Sequence, residues 1–156
     1  MGVHEGGLRV PLEPEEIEPL GLRIIEVPKF PARSRLYDSH APFVAYVPTG
    51  SIRRGRAFVS NGGAVMRGTA VVVPGKTPAC STCHGPSLRG MPRAPDTNIP
   101  VAALAGRSPT YVVRQLYDIQ SGARSGPTTE LMKPIAGQLT LQEMIDIAAY
   151  IGSKMP

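Results

Sequence analysis

From residue 49 onward the apolar positions of this chain fall on helical spacing; before it they do not. Ile52, Arg56 and Val59 share one face of a short segment that opens after Thr49-Gly50-Ser51, with Ser51 as candidate N-cap, and closes at Asn61-Gly62-Gly63. Gly55, inside it, leaves room for another helix to approach. Residues 110–121 carry a stripe of Val112, Leu116 and Ile119, flanked by Val113 and Tyr117 and stopped by Gly122. A third helix starts at Thr140, which has capping-box spacing to Glu143, and buries Leu141, Met144, Ile145, Ala148 and Ile151. Residues 85–108, with Pro86, Pro92, Pro95 and Pro100, and residues 123–139 read as loops. Upstream, residues 22–27 and 43–47 are β-prone runs bounded by prolines and are expected to pair as a small ribbon, which residues 71–73 would extend. Residues 29–41 read as proline-punctuated loop, and residues 1–21, rich in Glu, Pro and Gly, as an extended arm. There is no internal repeat.

Composition bounds the size and the partners. At 156 residues the chain has room for one core with an arm or small satellite. That core is short of large flat side chains: there is no Trp, and aromatic residues make up 5%. The formal charge of +5 hides an asymmetry. Residues 1–28 carry Glu5, Glu13, Glu15, Glu16, Glu18 and Glu26 against Arg9 and Arg23, a net of −4, and the remainder carries +9. A basic body steers toward an acidic partner. Nucleic acid is a poor fit, because no basic helix or nucleic-acid motif is present. No stretch approaches the roughly 18–20 apolar residues of a membrane span. The first residues lack the apolar core of a signal peptide.

Cys80-Ser81-Thr82-Cys83-His84 carries the chemistry. Two cysteines three apart followed directly by histidine form the attachment signature for c-type haem. Each thiol adds to one porphyrin vinyl group, so the sulfurs must sit about one short turn apart, and the next residue aims its imidazole at the iron. The chain has no other cysteine. A zinc site would need a fourth ligand, for which only His4 or His40 is available. A dithiol redox site belongs at the start of a helix after a strand. Candidates for the sixth iron ligand are Met66, Met91, Met132, Met144, His4 and His40. Met144 lies on an apolar helix stripe and suits the core. Met91 is only seven residues past His84. Met132, in a loop between two helices, suits an approach from the far side.

The residues resemble class I cytochrome c, and are most like the domains of small bacterial cytochromes of the c-four (diheme) and c-553 kinds. The likeness covers roughly residues 49–156. It rests on the Gly55 helix, on Cys80-Ser81-Thr82-Cys83-His84-Gly85 and on Leu104-Ala105-Gly106. It continues through Tyr111-Val112-Val113-Arg114-Gln115-Leu116, Gly122-Ala123-Arg124, Met132-Lys133-Pro134-Ile135-Ala136, and Leu139-Thr140 leading to Ala148-Ala149-Tyr150-Ile151. The resemblance implies an all-α fold of three main helices around one covalent haem c held by Cys80 and Cys83. It implies His84 and Met132 as axial ligands and the Pro100 carbonyl as acceptor of the His84 Nδ1–H. It also implies Tyr111, Gln115 and Arg124 along the haem edge or propionates, and a crossing of the first and last helices with Gly55 near Tyr150. The chain departs from the pattern in having Val59 where an aromatic is expected, about 20 residues between the first helix and Cys80, and 48 leading residues without counterpart. It has no second haem motif.

The expectation is therefore an acidic N-terminal extension over residues 1–48 and a monohaem cytochrome domain over residues 49–156. The expected role is electron carriage between periplasmic redox partners, not enzymatic turnover, with the signal or anchor belonging to a longer precursor. Arg89 and Arg93 would frame a basic rim for an acidic docking surface. The alternatives are a haem domain of a larger oxidoreductase, or a catalytic or ligand-binding haem with a labile Met132.

Overall fold

The computed structural model describes residues 2–3, 9–10, 19–36, 41–93 and 98–156. Two two-residue strands, β1 (Gly2–Val3) and β2 (Arg9–Val10), pair antiparallel. A second ribbon joins β3 (Ile25–Pro28) to β4 (Phe43–Tyr46), with Ile25 opposite Tyr46 and Pro28 opposite Phe43. This is the pairing expected from the β-prone runs. Between these strands lies α1 (Pro31–Arg35), one short helix in the expected loop, started by Pro31 at its first position. The sites of His4, His40 and the acidic residues Glu5 to Glu18 lie outside the described residues.

The helical body begins with α2 (Ser51–Asn61). Its N-cap is Gly50, in the left-handed region, and not Ser51. Ser51 is instead the first helical residue, fully buried, and accepts a hydrogen bond from Arg54 Nη2 at 3.2 Å. A separate hairpin follows, β5 (Val65–Arg67) with β6 (Ala70–Val73). Residues 71–73 therefore do not extend the first ribbon. A strand pairs with the nearest complementary edge, and the turn at Gly68 supplies one only a few residues away. Then come α3 (Cys80–His84), α4 (Pro109–Ser121), α5 (Lys133–Ala136) and α6 (Leu141–Gly152).

The core lies between α2, α4 and α6. Val59, Val112, Leu116, Met144, Ala148 and Ile151 are buried in one cluster with Leu88 and Leu139 from the connecting segments. Met144 is fully buried, as its helix stripe implies. Leu141, expected in the same face, is 52% exposed. The reciprocal hydrogen bonds of Thr140 and Glu143 cap α6 as the sequence suggests.

α2 and α6 cross in direct backbone contact. A Cβ placed on Gly55 would stand 1.9 Å from the Asp146 carbonyl oxygen and 2.9 Å from Tyr150 Cβ. Only a residue without a side chain permits this approach. The neighbouring Arg54 guanidinium donates to both carboxylate oxygens of Asp146, at 2.7 and 2.8 Å. Gln142 Nε2 donates to the same carboxylate at 2.9 Å. The carboxylate is 2% exposed, so its burial depends on these partners.

The first ribbon is tied to the helical body through Glu26. The Ser108 hydroxyl lies 2.9 and 2.8 Å from its two carboxylate oxygens, and the Thr110 N–H donates to it at 2.9 Å. Ser108 in turn accepts from the Tyr111 N–H. A carboxylate is favoured at a helix N-terminus, where free N–H groups and the helix dipole meet it.

Two outcomes check these contacts. Gly55→Ala should cost the haem-loaded protein at least about 2 kcal/mol in urea unfolding, since backbone cannot yield to the added methyl. Partial desolvation works against the Glu143 carboxylate, but hydrogen bonds from Lys76 and Thr140 hold its pKa below the ordinary value. Its stabilising effect is then complete above the unfolded-state pKa and is lost as pH falls through the lower folded value. Glu143→Gln should flatten the acid limb of a stability profile, at pH below the ordinary carboxylate range; an unchanged slope would remove Glu143 from that limb.

Candidate haem site

The motif forms a single helical turn. Cys80 starts α3 after extended Ala79, and Gly85 ends it by leaving helical geometry, so His84 is the last helical residue. Cys80 is half-buried against the core, its Sγ 3.9 Å from the Phe58 carbonyl, while Cys83 is exposed. Burial pushes the Cys80 thiol up to about 11. The two thiols thus stand on one turn, one against the apolar interior and one at the surface.

His84 is buried, and its Nδ1 lies 2.8 Å from the Ala102 carbonyl oxygen. A carbonyl only accepts, so Nδ1 must donate, and this fixes the tautomer that leaves Nε2 with its lone pair free. The acceptor expected from the resemblance was Pro100, and this is corrected. Met91 and Val101 exchange both backbone hydrogen bonds, at 3.1 and 2.9 Å. That bridge sets the register of the returning segment, and with Val101 paired, Ala102 is the residue that meets the ring. Pro100 lies before the bridge and is exposed.

Gly90 makes this register possible, and sequence reasoning missed it. Its φ is +74°, and a Cβ there would stand 2.4 Å from the Val101 oxygen and 2.9 Å from the Ala102 carbonyl carbon. Its N–H donates to the His84 carbonyl at 3.0 Å, so the same residue touches both partners of the imidazole bond. Leu88 tightens the loop further: its carbonyl accepts from Leu104 and Ala105 at 2.8 and 3.0 Å, and its side chain is buried. A glycine in a loop after the haem motif was the only signal, and many loops contain one.

Met132 is half-buried and packs against the same cluster that Cys80 packs against. It caps the start of α5, a helix in the segment expected to be loop. The Thr129 carbonyl accepts from the N–H groups of Met132 and Lys133, both at 2.9 Å, and the buried Thr129 hydroxyl donates to the Gly126 carbonyl at 2.7 Å. From α4, Gln120 Nε2 lies 2.8 Å from the carbonyls of both Ala136 and Leu139. One amide thus pins both ends of the chain leaving α5. Gln120 and Thr129 were not legible as positioning residues, being ordinary polar residues beside apolar ones. Of the other methionines, Met66 lies exposed on β5, Met91 is held in the bridge and Met144 is core.

Gln115 and Arg124 are brought together, Arg124 Nη1 donating to Gln115 Oε1, with the Arg124 backbone N–H on the Asp118 carbonyl at 2.8 Å. Tyr111 lies one turn before Gln115 on α4, its exposed ring flanked by the guanidinium groups of Arg107 and Arg114. In the loop beyond His84, Arg89 donates to the Pro156 carbonyl at 3.0 Å and Arg93 to Asn98 Oδ1 at 2.9 Å. Among the described residues no group of three His, Cys, Asp or Glu side chains gathers to hold a metal ion; His4 and His40, the further ligands a zinc site would draw on, lie outside them. The donor set does fit a haem: two thiols on one turn, an imidazole with its tautomer fixed, and a thioether on an apolar wall.

The cytochrome c family model matches residues 66–154. The chain belongs to the cytochrome c family. It binds haem c covalently and takes part in electron transfer. It is 32% identical over 115 residues to cytochrome c4 of Pseudomonas aeruginosa, covering 71% of this chain and 54% of that protein. It is 45% identical over 73 residues to the thiosulfate dehydrogenase electron acceptor of Stutzerimonas stutzeri, covering 47% of this chain and 30% of that protein. The crystal structure of reduced cytochrome c4 from Pseudomonas stutzeri superposes with a TM-score of 0.53 at 26% identity, over 77% of this chain and 57% of that one. The fold is that of a class I cytochrome c with added ribbons, and the chain spans about half the length of the cytochrome c4 relatives it matches.

The Gly90 contact has a measurable consequence. In haem-loaded Gly90→Ala the 101–103 backbone must retreat, and the bond between His84 and Ala102 weakens. With His84 as the expected axial ligand, a less basic imidazole favours the reduced iron, so the midpoint potential should rise. Exchange of the His84 Nδ1 proton, followed by NMR, should quicken. A variant that only loses stability, with potential and exchange unchanged, would remove Gly90 from the positioning of His84.

Proposed function

We propose that Cys80 and Cys83 hold the haem by thioether bonds, that His84 and Met132 are its axial ligands, and that residues 49–156 form a monohaem carrier domain working between periplasmic redox partners. The observation that carries this is His84 Nδ1 fixed on the Ala102 carbonyl. That bond orients the ring, with Nε2 as the coordinating atom. Met132, packed on the apolar cluster and pinned through Thr129 and Gln120, supplies a second ligand from another segment. The haem iron supplies a one-electron couple.

The remaining residues keep that couple simple. A thioether ligand raises the potential relative to a second imidazole. Ligands held by backbone and buried hydrogen bonds move little when the charge changes, and the apolar wall of Val112, Leu116 and Leu139 keeps water from the site. Cys83, exposed beside the 85–93 loop, marks the side where the haem edge meets a partner. The basic body favours a partner with an acidic face. Periplasmic location is inferred from the attachment chemistry, which bacteria carry out after export. Among the described residues no helix is long and apolar enough to cross a membrane.

A second reading is that this domain serves a dehydrogenase directly. The Stutzerimonas stutzeri relative named as a thiosulfate dehydrogenase electron acceptor, at 45% identity, favours it. Both readings use the same six-coordinate haem.

In oxidised Met132→Ala the red thioether-to-iron(III) charge-transfer band should disappear. The same change at Met66 or Met91 should leave it in place. Loss of the band in the Met66 or Met91 variant, or its survival in Met132→Ala, would reassign the sixth ligand.

A further inference from the structure

Four cations line a groove on the face where α2 and α6 cross, and among the described residues no Asp or Glu borders it; Arg89 also donates to the Pro156 carbonyl. One part of the groove is a cavity of about 760 Å³ bordered by Arg53, Arg56 and Lys154, with Tyr150 at its wall. A second, of about 380 Å³, is bordered by Arg89 and Lys154 and reaches Ser81. The two parts adjoin at Tyr150 and Lys154, where the ammonium lies 4.2 Å from the ring centroid. Ser81 stands between Cys80 and Cys83, so one end of the groove opens on the haem-attachment turn itself.

Three of the described acids are engaged elsewhere. Asp146 is held by Arg54, Glu143 by Lys76, and Glu26 by the N-terminus of α4. Arg53 and Arg56 lie one turn apart on the outer face of α2, both exposed. The cations are divided between two adjoining parts of the groove, with Lys154 bordering both. Such spacing suits several carboxylates carried on a surface better than a single phosphate. Exposed Ile52 and Met155 on its borders offer the apolar contacts that a protein interface uses.

We propose that this groove is where an acidic protein partner docks, with Arg53, Arg56, Arg89 and Lys154 meeting its carboxylates and electrons crossing at the Ser81 end. The inference rests on the carrier reading for the meaning of that contact, and on charge and shape for the contact itself. Among the arginines expected to frame a rim, Arg89 belongs to this surface and Arg93 does not border it.

The test titrates an octaglutamate peptide into ¹⁵N-labelled haem-loaded protein. Amide shifts should cluster at residues 53, 56, 89 and 150–154. Joint replacement of Arg53, Arg56 and Lys154 by Glu should weaken binding about tenfold or more. A control with equal net charge, carrying Lys29→Glu, Arg35→Glu and Arg67→Glu, should weaken it far less. The neutral set Arg53→Gln, Arg56→Gln and Lys154→Gln guards against misfolding of the reversed one, and the haem spectrum reports folding of each. Shifts clustered elsewhere, or equal weakening by groove and control sets, would overturn the proposal. Tighter binding of inorganic tripolyphosphate at the same residues would assign the groove to a phosphate ligand and overturn it as well. Electron transfer from the reduced protein to hexacyanoferrate(III) separates the two ideas. If the peptide maps to the groove but hexacyanoferrate(III) is not reduced, the carrier reading fails and the docking surface stands. If it is reduced while the peptide avoids the groove, the docking surface fails and the carrier reading stands.

Discussion

The crossing of α2 and α6 is the constraint on which the rest of the molecule depends. At Gly55 the two backbones touch, and the Asp146 carbonyl occupies the space that any side chain would fill. Beside that contact a buried carboxylate is matched by a two-point guanidinium grip. Burying the charge is costly, and the pair gains little over apolar packing. What it does supply is register: Arg54 meets Asp146 only when α2 and α6 lie at one relative translation. That translation places Val59, Met144, Ala148 and Ile151 in one cluster, against which Cys80 and Met132 both lie.

From this frame the site is assembled mainly by backbone. The His84 ring is oriented by a carbonyl, that carbonyl is placed by the bridge of Met91 with Val101, and the bridge is admitted by a residue without a side chain at Gly90. Met132 is placed in the same way, by turn hydrogen bonds to Thr129 and by a side-chain amide on the carbonyls beyond α5. For the axial pair proposed above, a hold by backbone resists small displacements, and ligands that stay in place keep the reorganisation of the iron low.

Periodic and covalent features were legible in the sequence, and long-range register was not. The stripes of α4 and α6, the capping box at Thr140, the ribbon of β3 with β4 and the attachment motif each announce themselves within a few residues, because local spacing dictates them. The acceptor for His84 did not, because choosing Ala102 over Pro100 depends on a bridge between residues ten apart that carries no side-chain signature. Residues 71–73 were assigned to the wrong ribbon because strand propensity names no partner, and proximity across Gly68 decided it. Leu141 fits the helix stripe, yet its side chain is exposed. Glu26 counts in the sequence only as one of six acids over residues 1–28, while its place at the N-terminus of α4 required the fold. Gly55 was legible because the resemblance supplied the contact that its small size permits.

The central claim is a single covalent haem with both axial positions filled by this chain. Its most direct test is a pyridine haemochrome assay on the denatured protein, read beside exposure of the native reduced protein to carbon monoxide. The account predicts one haem c per chain with both vinyl groups saturated, and a native reduced spectrum that carbon monoxide leaves unchanged. A haem extracted by acidified solvent, a stoichiometry other than one, or prompt conversion to a carbon monoxide complex would contradict it.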